Sequence, residues 1–305
     1  MHTILGAGGA VANELLKELR KNNEPYQLVS RNPKPIAGER WIAADITNAN
    51  SVLEAIKGST IVYLAAGLKY DISVWREQWP KIMSNLIEAC KRENAKIIFF
   101  DNVYSYGLVK GKMTEETPYN PISKKGEVRA KIAMQLMDET KKGNLKAIIA
   151  RAADYYGPKY EKAFFNILVF QRLAKGGSAM LTMSDKTVHT YSYTPDMGKP
   201  MYLLSQNENA FNQVWHLPTT SELLTGKELV EKIAAAFGVK PRYSVLGKLM
   251  FQMLGLFNHD IKEIVETLYQ WEYDYILDSS KFEKAFGIRA TPIDEAIRQS
   301  VASYK

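Results

Sequence analysis

The sequence holds few of the residues that build disulfides or metal centres. Cys90 is the only cysteine among the 305 residues, which excludes an internal disulfide. A single cysteine is typical of a reducing compartment, so we expect a cytoplasmic protein. The four histidines, at positions 2, 189, 216 and 259, are isolated and lack the spacing of metal ligands. We therefore predict no metal site.

Long apolar runs are also missing, and we expect no signal peptide. No apolar stretch reaches the roughly 20 residues of a membrane-spanning helix. The basic pair Arg20-Lys21 follows the first apolar segment, whereas in a signal peptide it would precede it. The net charge is +7, but bases alternate with acids, as in Lys91-Arg92-Glu93, which indicates a solvated surface. We expect a small-molecule partner, and neither a nucleic acid nor a membrane.

A glycine-rich turn near the N-terminus is the most informative stretch that is present. Ile4-Leu5 is typical of a buried strand, residues 6–12 read GAGGAVA, and helical spacing of apolar residues follows from Asn13. Glycine lets backbone N–H groups approach a pyrophosphate at a helix N-terminus, so this order predicts a dinucleotide site. The alternative is a tight turn without a ligand. The predicted contact residues are Gly6, Gly8, Gly9, Ala10 and Val11.

The end of the second predicted strand, 26–30, indicates which dinucleotide binds. An acid there would hydrogen-bond the adenosine ribose of NAD, but the sequence has Ser30 and Arg31, with Lys34 shortly after. A guanidinium matches the 2′-phosphate of NADP well. The sequence therefore predicts NADP, with NAD as the alternative. A solvated loop arginine is the other interpretation of Arg31.

The middle of the chain alternates between strand and helix patterns. Short apolar runs predict strands at 41–43, 60–64, 96–100 and 146–151, and amphipathic spacing predicts helices at 48–57, 74–93 and from 123. This alternation predicts an α/β fold with a Rossmann-type, doubly wound parallel sheet.

Small and polar residues follow two of these strands. Asp45-Ile46 comes after the third strand, where the acid would accept a hydrogen bond from adenine or, with Thr47, cap the next helix. Ala65, Ala66 and Gly67 follow the fourth strand and leave room for a flat cofactor.

The alternation loosens beyond residue 158. Helical patterns are predicted near 161–174, 196–205, 226–237 and 258–271, with short strands between them. We predict a dinucleotide-binding domain at 1–158, to which the chain returns near 187–217. Residues 159–305 are predicted to form mainly a smaller, mostly helical substrate-binding region.

Several of these segments together resemble a known family. Gly6-x-x-Gly9-x-x-Ala12, Val103–Gly107, Arg151–Pro158 and Asp278–Lys281 are similar to segments of extended or atypical short-chain dehydrogenases/reductases. This is the NAD-dependent epimerase/dehydratase group, which includes dihydroflavonol-reductase-like enzymes. The resemblance covers nearly all of the chain. It implies NAD(P) binding, with further cofactor contacts at Ala152 and Asp154.

The catalytic positions depart from the pattern of that family. Asn102 stands where the family has Ser or Thr, and Lys125 and Arg129 stand where it has Tyr and Lys. The family's tyrosine moves the proton and its lysine holds the cofactor ribose. Lys125 is then the candidate general acid or base, because nearby cations disfavour its protonated form, and Arg129 would bind the ribose. Tyr104 is the next candidate for the proton-transfer role. The alternative is that Lys125 and Arg129 are both solvated charges on the surface of a helix.

The resemblance also bears on substrate and assembly. The family's diphosphate-binding arginine corresponds to His189, and a neutral imidazole is a poorer clamp. We therefore predict an NAD(P)-dependent oxidoreductase or epimerase/dehydratase acting on a small carbonyl or hydroxyl compound, sugar-like or flavonol-like. The alternative is a catalytically silent NADP-binding sensor or interaction protein. The family pairs the helices at 74–93 and 123–142 into a bundle, which predicts a homodimer.

Overall fold

The computed structural model describes residues 1–33, 38–158, 160 and 163–305. These residues form the strands β1 (His2–Leu5), β2 (Tyr26–Ser30), β3 (Trp41–Ala43), β4 (Ile61–Leu64), β5 (Lys96–Asp101), β6 (Lys112–Met113), β7 (Ala147–Arg151), β8 (Tyr155–Tyr156), β9 (Ala179–Thr182), β10 (Ser192–Tyr193), β11 (Gln213–His216), β12 (Tyr243–Leu246) and β13 (Ile276–Leu277).

The helices of the same described ranges are α1 (Ala10–Lys21), α2 (Ala49–Ile56), α3 (Ile72–Glu93), α4 (Lys124–Lys141), α5 (Gln171–Ala174), α6 (Gly198–Gln206), α7 (Gly226–Phe237), α8 (Lys248–Gly255), α9 (His259–Ile264), α10 (Tyr269–Glu272), α11 (Ser280–Phe286) and α12 (Ile293–Ala302). A π-helical turn, Asn166–Phe170, leads into α5. None of these helices has the length and apolar character needed to cross a bilayer.

The chain forms two compact units, each built from several segments. Unit 1 comprises residues 1–105, 124–151 and 197–217, and unit 2 comprises 106–123, 152–196 and 218–305. The predicted division placed 106–123 with the dinucleotide domain and began the return at 187. The structure assigns 106–123 to unit 2 because β6 pairs with β13, and the return begins at 197.

Unit 1 is a parallel sheet in the order β11-β7-β5-β4-β1-β2-β3. The order reverses between β1 and β4, so the chain winds outward from these two central strands in both directions. Such a reversal leaves a crevice at the carboxyl ends of the strands, where ligands bind in open α/β sheets. The predicted Rossmann-type sheet is confirmed. The residues of β1, β4 and β7 are all buried, as expected for strands covered by helices on both faces.

Helices α3 and α4 turn their apolar stripes toward the interior of unit 1. Trp75, Trp79 and Leu86 of α3 are buried, as are Ile132 and Leu136 of α4. The stripes that suggested an intersubunit bundle are therefore largely covered within one chain. The homodimer stays a prediction.

Unit 2 has its own core around the π-helical turn, α7 and α12. Among the buried residues of this core are Phe170, Ile233 and Ile297. Two short parallel strand pairs, β8 with β10 and β9 with β12, border it. The predicted helix at 226–237 matches α7, whereas the predicted helix at 258–271 is divided into α9, a 3₁₀ turn at 265–267 and α10. The predicted helix at 161–174 begins at residues outside the described ranges.

Candidate active site

The glycine turn after β1 has the backbone that a phosphate site needs. Gly6 and Gly8 have φ values of 91° and 92°, which L-residues with side chains rarely adopt. Gly9 is the N-cap of α1, and the first turn of that helix carries no acid. Ala10 and Val11 are its first two residues, so their N–H groups are among those that an α-helix leaves without an intrahelical acceptor. The turn therefore presents donors and a positive helix end together.

Gly6 also touches the neighbouring central strand. A Cβ atom added there would lie 2.4 Å from Ala66 Cα and 2.6 Å from Ala66 N. Ala65 N–H donates to the Leu5 carbonyl at 2.9 Å, which continues the pairing of β1 with β4 into both loops. Only glycine at position 6 permits this approach, and it occurs where the strand order reverses. Gly67 follows and is exposed.

The end of β2 carries the residues predicted to read the adenosine. Ser30 Oγ is buried and has no hydrogen-bond partner among the described residues, while the Arg31 side chain is exposed. The Thr47 N–H and hydroxyl both donate to Asp45 and hold the pKa of that carboxyl below its usual value, and the charge of Arg31 acts in the same direction. Lys34 lies outside the described residues.

Asp45 does not cap the following helix. Asn48 is the N-cap of α2, its side chain accepting from the Ser51 N–H at 3.0 Å. The carbonyl of Ile46 accepts a hydrogen bond from Asn85 of α3 at 3.2 Å. Asp45 is left at a turn beside Arg31, and its predicted contact with adenine stays a prediction.

A buried ion cluster lies beneath the carboxyl end of β5. Asp101 accepts a hydrogen bond from Arg129 Nε at 2.7 Å and another from Arg151 Nε at 3.0 Å. The Arg129 guanidinium lies over the ring of Trp79, with its Cζ 4.4 Å from the ring centroid. Arg129 was predicted to bind the ribose; the structure holds it on Asp101, and ribose binding by this residue stays a prediction.

Lys125 lies beside Tyr70, which in turn contacts Tyr104. Its side chain is fully buried in the first turn of α4, and Nζ is 4.5 Å from the ring centroid of Tyr70. A cation at the positive end of a helix is unfavourable, and the electron-rich face of a ring compensates for part of that cost. The Tyr70 hydroxyl donates to the Tyr104 hydroxyl at 3.3 Å. Lys125, Tyr70 and Tyr104 form what we call the phenol–ammonium cluster.

Asn102 and Ser105 complete the loop after β5. The Asn102 side-chain oxygen accepts from the Tyr104 N–H at 3.1 Å and so fixes the turn that carries the Tyr104 phenol. Ser105 Oγ is buried and has no hydrogen-bond partner in the described part of the chain. Asn102, Tyr104, Lys125 and Arg129 all belong to unit 1, and their catalytic roles stay predictions.

Ala152 and Asp154 belong to unit 2. Ala152 is buried, and Asp154 Oδ2 lies 3.1 Å from His189 Nε2. The other ring nitrogen of His189 is 2.9 Å from the Gln270 carbonyl. The imidazole stacks on Trp271, with ring centroids 5.0 Å apart and planes at 8°. Both nitrogens of His189 therefore face oxygen acceptors within unit 2.

Tyrosines enclose the same histidine. Tyr275 stacks on His189 at 5.6 Å, and Tyr191 packs at 4.5 Å. Burial raises the pKa of both phenols, so they stay protonated at neutral pH.

A nicotinamide dinucleotide fits the residues of unit 1. The exposed Gly8 and Gly9 leave the N-terminus of α1 open to an anion, and the Ser30 hydroxyl at the adenosine end is buried without a partner among the described residues. The close approach of Gly6 to Ala66 joins the loops after β1 and β4 at the crevice. The donor set is that of a phosphate and ribose site.

Sequence reasoning did not identify Tyr70 or Asp101 as site residues. Tyr70 lies in the loop after β4, and its position after the carboxyl end of a central strand is the signal that could have identified it. Asp101 is the last residue of β5 and lies one position beyond the predicted strand at 96–100.

Comparison with known proteins agrees with this fold. A model of the NAD dependent epimerase/dehydratase family matches residues 2–215. The UDP-glucose 4-epimerase of Thermus thermophilus, in complex with NAD, is similar, with a TM-score of 0.79, 18% identity, and 100% of this chain and 99% of that chain covered.

Two further structures show the same fold. The dTDP-glucose 4,6-dehydratase DesIV of Streptomyces venezuelae has a TM-score of 0.81, 16% identity and coverage of 100% and 96%. The UDP-glucose 4-epimerase of Thermotoga maritima, with UDP-glucose, has a TM-score of 0.78, 18% identity and coverage of 100% and 98%. The curated proteins gave no match. On the family model and the fold together, the chain belongs to the NAD-dependent epimerase/dehydratase family.

Proposed function

We propose that this chain is an NAD(P)-dependent oxidoreductase or epimerase/dehydratase acting on a small hydroxyl or carbonyl compound. The phenol–ammonium cluster is the observation that carries the proposal. Its members come from the loops after β4 and β5 and from α4, at the same edge of the sheet as the glycine turn. A proton-transfer group is thereby rebuilt from residues that the usual sequence motif does not contain.

The side chains divide the work of proton transfer in this proposal. The bound nicotinamide supplies the hydride acceptor and donor. Tyr104, which accepts the hydrogen bond from Tyr70, exchanges a proton with the substrate oxygen. Tyr70 stabilises the negative charge that develops on the Tyr104 oxygen through that hydrogen bond. The Lys125 ammonium, held against the Tyr70 ring, stabilises the phenolate form electrostatically. Because the lysine is fully buried, it acts through the phenols.

The proposed substrate lacks a diphosphate. His189 occupies the place of the family's diphosphate-binding arginine, and its nitrogens already face Asp154 and the Gln270 carbonyl. Some of the similar structures hold UDP-sugars, so nucleotide sugars are the class to be compared with free sugars, aldehydes and ketones. The purified protein is to be screened with NAD(H) and NADP(H), with product analysis for reactions that show no net redox change.

Lys125→Met is expected to lower kcat by about 10²–10⁴-fold, because Tyr104 and Tyr70 lose the charge that supports their acid–base function, while the Kd for the cofactor stays within about twofold. The methionine keeps much of the side-chain volume but removes the charge from the Tyr70 ring. Steady-state kinetics on the substrate found in the screen, together with calorimetric titration of the cofactor, measures both quantities.

Two further variants sharpen this test. Lys131→Met makes the same change at an exposed position of α4 and is expected to leave kcat unaltered. Tyr104→Phe is expected to lower kcat to a similar extent as Lys125→Met. Full turnover in both Lys125→Met and Tyr104→Phe would remove the phenol–ammonium cluster from the mechanism.

Arg31→Ala is expected to weaken NADP binding by about 10–100-fold, the loss of a charge-assisted hydrogen bond, and to change NAD binding by less than about threefold. This expectation rests on the exposed arginine that follows β2, where the acid typical of NAD sites is missing. Isothermal titration with both cofactors measures this, and Arg40→Ala is the matched exposed control. Wild-type protein that prefers NAD would contradict the NADP assignment.

The second candidate is a catalytically silent sensor that binds NADP. The ion pair between Arg129 and Asp101 favours the sensor, because the residue at the family's ribose-binding position is then paired with a buried acid. Cofactor binding without turnover of any screened substrate, and without an effect of Tyr104→Phe, supports the sensor.

A further inference from the structure

A ridge of exposed apolar side chains runs along α8 and the turn after it. Leu256 and Phe257 are 80% and 91% exposed, and Leu249 is 70% exposed. We call this feature the α8 ridge, and it consists of Leu249, Met250, Met253, Leu254, Leu256 and Phe257. Isolated apolar residues are common on protein surfaces, but six within nine positions form a continuous patch.

The ridge is the outer face of a helix whose inner face is already in use. Phe251 and Gly255, four residues apart, are the buried positions of α8. A Cβ atom on Gly255 would lie 3.1 Å from Lys262 Cα, so α8 packs closely against α9 on this side. Leu249 and Met253 are also four residues apart and lie on the other side. Unit 2 therefore leaves this face without a covering element among its described residues.

Within residues 239–258, the stretch that carries the ridge, the exposed charges all have one sign, and the first acid after it is the exposed Asp260 of α9. Lys240, Arg242 and Lys248 are exposed, and the sequence has no Asp or Glu between Gly238 and His259. This stretch differs from the remainder of the surface, where bases and acids alternate. An apolar ridge flanked by basic residues complements a layer that has an apolar interior and negatively charged groups on its outer surface.

We propose that the α8 ridge docks the protein on an anionic phospholipid surface, with Leu256 and Phe257 inserted among the acyl chains. Helices that lie in the interface combine an apolar face with Lys and Arg in this way. The high exposure of Leu256 and Phe257 shows that the ridge protrudes. A protruding apolar feature fits a lipid layer, because the lipids can rearrange around it. Pairing with a second copy would bring Lys248 and its neighbours against their own counterparts, a like-charge arrangement.

A phospholipid surface is an addition to the partners expected from the sequence. The sequence predicted no membrane partner because its apolar runs are too short to span a bilayer. A helix that lies at the membrane surface does not need the length of a membrane-spanning helix. The sequence alone does not show that Leu249 and Phe257 are exposed; this follows from the structure, in which Phe251 and Gly255 are the buried residues of α8. The proposal does not depend on the proposed enzymatic function.

Vesicle flotation with the full-length protein tests the proposal. We expect binding to vesicles of equal parts phosphatidylcholine and phosphatidylglycerol, at least tenfold weaker binding to pure phosphatidylcholine, and a decline with added salt. The double variant Leu256→Asp, Phe257→Asp is expected to lose at least tenfold in binding with an unchanged unfolding temperature. Met134→Asp, an exposed apolar position on α4, is the matched control and is expected to bind as wild type does.

Three outcomes would overturn the proposal. The first is a wild-type protein that stays with the soluble fraction in the presence of anionic vesicles. The second is flotation of the double variant at wild-type levels. The third is a dimer, seen by light scattering, that the double variant dissociates while vesicles bind neither protein; the ridge would then be a contact between copies of this chain.

Discussion

Asp101→Asn is expected to lower the free energy of unfolding by about 3–5 kcal/mol, the cost of removing one partner from a buried ion pair. Asp101 is 1% exposed and is the anion that both Arg129 and Arg151 contact. The amide keeps the shape of the side chain but cannot neutralise two guanidinium groups in a low-dielectric interior. Urea denaturation of the apo protein, followed by circular dichroism, measures the change.

An exposed acid provides the comparison for this variant. Asp138 pairs with Lys141 on the surface of α4 and is 57% exposed, so Asp138→Asn is expected to change the stability by less than about 0.5 kcal/mol. A loss below about 1 kcal/mol for Asp101→Asn would mean that Arg129 and Arg151 are neutralised by other groups.

Gly6→Ala is expected to destabilise the apo protein by about 2–5 kcal/mol and to abolish measurable dinucleotide binding. Two costs add: a positive φ for a residue with a Cβ atom, about 1–2 kcal/mol, and overpacking, about 1–3 kcal/mol. The new Cβ would collide with backbone atoms of Ala65 and Ala66, which cannot rotate away as a side chain can. Relief requires the loops after β1 and β4 to separate, which opens the crevice.

Gly8→Ala separates the two costs. Gly8 has nearly the same φ, but a Cβ atom there meets nothing within 4 Å. It is expected to lose only the conformational part, about 1–2 kcal/mol. Thermal unfolding and cofactor titration of both variants give the difference. Equal losses would show that backbone strain alone requires glycine in this turn.

The fold was largely predictable because periodicity reports which residues face a core. The apolar runs of β4 and β7 are buried on both faces, and a continuous apolar run is the signature of such strands. α7 begins with a capping box, Thr225 with Glu228, and ends at Gly238, and its predicted bounds match the structure.

Other parts were not predictable, for two physical reasons. α8 has apolar residues on both faces, so a one-sided hydrophobic period does not mark it. The phenol–ammonium cluster joins Tyr70, Tyr104 and Lys125 from three separate elements, and only strand pairing brings their loops to one edge. Local sequence indicates whether a segment forms a helix or a strand, whereas the geometry of the site depends on contacts between distant segments.

The interrupted course of unit 1 also has a consequence during synthesis on the ribosome. β11 completes the sheet by pairing with β7, yet Asn212, which receives the Ala147 N–H, is 65 residues further along the chain. At usual elongation rates this interval lasts about 3–13 s. Throughout it, the wholly apolar stretch Ala147–Ala150 is an unpaired sheet edge, a template for pairing with other chains. We therefore expect the nascent chain to expose an aggregation-prone edge between the emergence of β7 and that of β11.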